Sequence, residues 1–135
     1  MPMFAKARRL MLAQNYVAAL NARDLAAVRA TLADDVTFTD STGQSISGIE
    51  NCMAATERFF AMDDSFRLDI DEYTPRGDSV LMRGRSVSRH AQLCTDELWR
   101  ARFDGKKMVE WQSWARANPM PLARILSGAT ATLPA

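Results

Sequence analysis

The sequence predicts an α+β domain in which helices come first and pack on one face of an antiparallel sheet. Three observations carry this. Apolar residues recur at helical spacing through the first sixty or so residues, the spacing changes to strict alternation from Phe66 onward, and Gly- and Asp-containing turns then cut the chain into strand-length segments.

Between about Ala5 and Asn21, Leu10, Ala13, Val17 and Leu20 recur at steps of three and four, which puts them on one helical face. Asp24 has the side chain to accept the free amide hydrogens of a new first turn, and Leu25, Val28 and Leu32 then line one side of a short second helix. Ala33-Asp34-Asp35 reads as a turn, and Val36-Thr37-Phe38-Thr39 as a brief strand with Val36 and Phe38 inward. Asp40 to Gln44 has turn chemistry. Ser47 with Glu50 reads as a capping box opening a third helix, buried along Ile49, Cys52, Met53, Thr56 and Phe60. Phe66, Leu68 and Ile70 oppose Arg67, Asp69 and Asp71, as in a half-buried strand. Pro75-Arg76-Gly77-Asp78 and Asp104-Gly105-Lys106 are hairpin turns, which leaves strands near residues 79–89, 92–103 and 107–115.

At 135 residues and 47% hydrophobic content the chain suffices for one core, expected over residues 1–117, with a tail over 118–135 that starts at Asn118-Pro119-Met120-Pro121. Seventeen basic against sixteen acidic residues give a net charge of +1, which argues against nucleic acid as a partner. No unbroken apolar segment suggests a membrane span. Cys52 and Cys94, without Cys or His at metal-ligand spacing, suggest neither a disulfide framework nor a metal centre, and fit a reducing cytoplasm. The sequence shows no dinucleotide fingerprint or phosphate loop, so no organic cofactor is expected.

Asp40 continues the parity of Val36 and Phe38, so its carboxylate is expected on the core-facing side where the strand ends. Two readings follow: a desolvated general base, or an acceptor for the backbone of its own turn. His90, the only histidine, falls at a turn with no acid or nucleophile beside it in sequence. Arg83, Arg85 and Arg89 share one strand face, with Arg100 and Arg102 on the neighbouring strand. Alternating with Leu81 and Val87 and balanced by Asp69, Asp71 and Asp96, they suggest a solvated face or a sheet-to-sheet homodimer.

Tyr16-Val17, Asp24-Leu25, Ala33-Asp34-Asp35-Val36, Asp40-Ser41-Thr42-Gly43 and Gly48-Ile49-Glu50 stand in the order and spacing that resemble ketosteroid isomerase and the wider SnoaL-like group, over about residues 5 to 116. The resemblance implies the cystatin-like cone of nuclear transport factor 2, with three N-terminal helices on a curved, mixed but mostly antiparallel sheet around an apolar pocket. It also implies Tyr16 as donor to a substrate oxyanion and Asp40 as proton shuttle. Aligning on Arg102-Phe103-Asp104 puts Trp99 where those isomerases carry a protonated aspartic acid, and loss of an oxyanion donor costs ~100- to 1000-fold in rate. Trp114 falls on the position of a pocket aromatic, and strand parity puts Glu110 and Gln112 on its face.

The expected protein therefore binds an apolar small molecule, with Asp40 and Tyr16 catalytic and Phe38, Phe60, Trp99, Glu110, Gln112 and Trp114 around the ligand. Its reaction would be an isomerisation or polyketide-type cyclisation of a cyclic ketone. The alternative is a non-catalytic binding or dimerisation module of the same fold.

Overall fold

The computed structural model describes residues 2–115 and 122–126. Its elements run α1 (Pro2–Ala22), α2 (Leu25–Thr31), β1 (Leu32–Thr39), β2 (Ser45–Ser47), α3 (Ile49–Met62), β3 (Arg67–Arg76), β4 (Ser79–Val87), a 3₁₀ turn (Ala91–Leu93), β5 (Thr95–Asp104), β6 (Lys107–Ala115) and α4 (Leu122–Leu126). The six strands form one sheet in the order β2-β1-β6-β5-β4-β3, in which only β1 and β6 run parallel. Three helices on a mixed, mostly antiparallel sheet are the expected cystatin-like architecture.

Asp24 caps α2 as expected, its side chain accepting from the Ala27 amide. The turn expected at Ala33-Asp34-Asp35 is instead part of β1: Leu32 pairs with Met108 straight after the helix, and a register shift before Thr37 leaves Asp34 and Asp35 exposed. Aspartates are poor strand formers, which hid the strand's start. The capping box at Ser47 does not form. Ser47 belongs to β2 opposite Thr37, Gly48 takes the cap position with φ 90°, and Glu50 makes a two-pronged ion pair with Arg29.

Two bulges decide which side chains point inward. Asp71 is extra between the pairs Ile70–Gly84 and Glu72–Arg83, and Val109 is extra between Phe103–Met108 and Arg102–Glu110. Each shifts the two-residue parity by one and bends its strand, curving the sheet around the helices. Gly84 permits the bend in β3, since a Cβ there would lie 1.9 Å from the Asp69 carbonyl oxygen. Edge strand β3 is fastened to α1 by Asn21, whose side chain donates to the Leu68 carbonyl and accepts from the Leu68 amide, both at 2.9 Å.

Between sheet and helices lies the core, in which Val28, Val36, Val80, Met82 and Met108 are fully buried. At the far end of α3 the buried Asp63 accepts from the Ser65 amide and hydroxyl and the Ser88 hydroxyl, tying the helix to the loop after β4. Burial pushes its carboxyl up, but these hydrogen bonds outweigh it and hold Asp63 below its ordinary range. Of the expected tail, 118–121 and 127–135 lie outside the described residues.

Candidate functional site

A cavity of about 150 Å³ opens between the concave face of the sheet and the helices. Inward residues of all six strands make its wall, among them Phe38 from β1, Ile46 from β2, Leu68 from β3, Ser86 from β4, Glu97 and Trp99 from β5, and Trp111 and Ser113 from β6. Tyr16 from α1 and Phe59 from α3 roof it, and α4 covers one side with Leu122, Ala123 and Leu126. The aromatic wall is continuous: Tyr16 and Trp111 have ring centroids 4.8 Å apart, and Trp111 stacks on Trp99 at 6.4 Å.

Tyr16 is 2% exposed, and its hydroxyl has no hydrogen-bond partner among the described residues. Burial pushes its pKa well above that of an ordinary tyrosine, so it enters the cavity as a neutral donor.

Asp40 is also buried and lines the cavity, and its carboxylate accepts four hydrogen bonds from the protein. Oδ1 accepts from the Thr42 amide at 2.8 Å, the Thr42 hydroxyl at 2.6 Å and the Gln44 amide at 3.1 Å, while Oδ2 accepts from the Ala123 amide at 2.8 Å. Of the two sequence readings of Asp40, the turn acceptor describes these contacts. It also latches α4 onto the end of β1.

The structure brings Tyr16, Asp40, Phe38 and Trp99 together around this cavity and leaves the other four expected residues outside it. Glu110, Gln112 and Trp114 are together, as expected, but on the opposite face of the sheet, because the bulge at Val109 turns Trp111, Ser113 and Ala115 inward in their place. Glu110 accepts from Arg100, whose guanidinium lies 5.7 Å from the Trp114 ring centroid, and Trp114 is 39% exposed. Phe60 lies under the Arg23 guanidinium at 5.2 Å, while its neighbour Phe59 packs edge-on against Phe66 and faces the ligand space.

Glu97 was not singled out in the sequence. Its inward parity with Trp99, Ala101 and Phe103, a carboxylate in line with three apolar side chains, is the signal that marks it. Burial raises its carboxyl to about 7, against a smaller opposing effect from Ser86. Gln92, also on the cavity wall, has a buried Nε2 without a hydrogen-bond partner. His90 precedes the 3₁₀ turn and is not among the cavity-lining residues.

Fold and site together define a small α+β domain whose sheet and helices enclose an apolar cavity with a few inward polar groups. Residues 13–111 match the family model of the SnoaL-like domain, and the chain belongs to that family. It is similar to a candidate polyketide cyclase from Sinorhizobium meliloti, with 17% identity, TM-score 0.69 and coverage of 76% of this chain and 92% of that one. It is also similar to an LEH-like epoxide hydrolase from M. tuberculosis, at 17% identity, TM-score 0.70 and coverage of 82% and 84%. A protein of unknown function with a cystatin-like fold from Xanthomonas campestris matches at 17% identity and TM-score 0.73, covering 82% and 92%. At these identities the likeness is one of fold. No curated protein matches the sequence. Among the described residues, no helix is long and apolar enough to cross a membrane.

Proposed function

We propose that the protein is an enzyme that moves a proton on an apolar, cyclic, ketone-type molecule held in this cavity, as an isomerase or a polyketide-cyclase-like catalyst. The observation that carries it is the Tyr16 hydroxyl, on a side chain only 2% exposed and with no hydrogen-bond partner among the described residues, in a cavity walled by Trp99 and Trp111. A hydroxyl not engaged by the protein is left to donate to a substrate carbonyl, and that bond strengthens as the oxygen gains negative charge. The fold likeness to a candidate polyketide cyclase and an epoxide hydrolase supports a small-molecule reaction. A void of about 150 Å³ suits a benzene-sized ring, which favours a one- or two-ring substrate over a larger one. Asp40, the base implied by the resemblance, already accepts three hydrogen bonds at Oδ1 and one at Oδ2.

Quenching of tryptophan emission by 2-naphthol and 2-tetralone tests this reading, because Trp99 and Trp111 both line the cavity. Saturable quenching followed by isomerisation of a β,γ-unsaturated bicyclic ketone is expected. Absence of saturable quenching would sink it.

A second feature favours self-association. On the outer sheet face Leu98 is 42% and Trp114 39% exposed, amid the ion pairs Arg83–Glu72, Arg85–Asp71 and Arg100–Glu110. Apolar centres ringed by charges of both signs are self-complementary about a two-fold axis, and we read this face as the seat of a homodimer.

A further inference from the structure

We infer that Glu97, rather than Asp40, carries the proton: it takes one from the carbon beside the substrate carbonyl and returns it to a second carbon of the same molecule. The inference rests on the reading above and assigns its central step to a residue.

Glu97 lies opposite Gly84 on β4 and Ala115 on β6. Neither neighbour carries more than a methyl group, so the inward carboxyl reaches the cavity beside Trp99, with the Ser86 hydroxyl as its hydrogen-bonding neighbour. Among the described residues, no Arg, Lys or His lines the cavity, and the other titratable groups on its wall are Tyr16 from α1 and Asp40 from the end of β1. Arg83, Arg85, Arg100 and Arg102 belong to the opposite parity of β4 and β5. From α3 the cavity receives Thr56 and Phe59, from the 3₁₀ turn Gln92, and from α4 Leu122, Ala123 and Leu126, none of them charged. Burial therefore acts on Glu97 without an ion pair to offset it and raises its carboxyl to about 7. Asp40 faces four hydrogen-bond donors in the same cavity. Two carboxyls in contrasting environments divide the work: one anchors structure, the other exchanges a proton near neutral pH.

In the step itself, Glu97 carboxylate removes the proton as the C–H bond breaks. The bonding pair becomes the carbon–carbon π bond of an enolate, whose oxygen accepts a hydrogen bond from Tyr16. The enolate then collapses, the double bond migrates, and the Glu97 carboxylic acid returns the proton to the far carbon. The product is an isomer of the substrate and no co-reactant is consumed.

Carboxyl ¹³C NMR of glutamate-labelled protein, with Glu97→Gln to assign the signal, is expected to give a midpoint near 7. A midpoint in the ordinary glutamate range overturns the proposal. With 2-tetralone in D₂O, deuterium uptake beside the carbonyl is expected to rise with pH through that midpoint. It should fall ~100-fold or more in Glu97→Gln, recover in part in Glu97→Asp and persist in Glu110→Gln on the outer face. Uptake that survives in Glu97→Gln, or saturable 2-naphthol binding with no uptake at all, overturns the assignment. Absence of 2-naphthol binding removes the underlying reading instead.

Discussion

The Asp40 carboxylate accepts the backbone amide of Ala123 at 2.8 Å, joining the end of β1 to α4 across 83 residues of chain. The same side chain holds its own turn through Thr42 and Gln44. One acceptor thus fixes both a turn and a cover of the cavity.

Asp40→Ala leaves three buried or half-buried amide hydrogens without their acceptor. Each such loss costs about 1–3 kcal/mol, and shared relaxation keeps the total near the low end of the sum. Urea unfolding should show a loss of about 3 kcal/mol, with hydrogen exchange at Ala123 accelerated more than in the centre of the sheet.

Tyr16→Phe is expected to separate stability from function. Its hydroxyl has no partner among the described residues, so the unfolding free energy should stay within about 0.5 kcal/mol of wild type. Turnover of a ketone should fall ~100-fold or more through loss of the oxyanion donor. A large loss of stability with unchanged turnover would reverse the assignment.

Gly84→Ala places a Cβ where the Asp69 carbonyl oxygen stands 1.9 Å away. Backbone rather than a flexible side chain is the obstacle, so β3 has to move off β4. A cost of about 3 kcal/mol or more is expected by denaturant titration, above the usual penalty of an overpacked core.

Two carboxyls give opposite pH slopes. Asp63 is held below its ordinary range by Ser65 and Ser88, so its contribution is present at neutral pH and disappears as pH falls through its lowered pKa. Glu97 is raised from 4.5 to about 7, so its contribution is full below 4.5 and is lost as pH rises through 7. Between pH 5 and 8 the wild type should lose stability relative to Glu97→Gln. Below pH 4 it should lose its advantage over Asp63→Asn. Urea midpoints across pH 3–8 measure both.

Leu98→Lys combined with Trp114→Lys puts two further cations among the arginines of the outer face. If that face seats a second copy, sedimentation should show wild-type dimers and double-variant monomers with unaltered circular dichroism. A monomeric wild type would remove the homodimer reading.

Much of the architecture is determined by local features of the sequence. The heptad-like spacing of Leu10, Ala13 and Val17, the Asp24 cap and the alternation from Phe66 each act over a few residues, and the structure has the corresponding elements. The family resemblance also drew Tyr16 and Asp40 to one place, where the cavity has both. Only tertiary structure decided which aromatic and polar residues join them. A bulge arises from how two strands meet, and the one at Val109 exchanged Trp114 for Trp111 and Gln112 for Ser113. What a carboxylate meets depends on partners far along the chain: Ala123 for Asp40, Gly84, Ser86 and Ala115 for Glu97. Parity is a local property of a strand only until a neighbour interrupts it, and burial is never local.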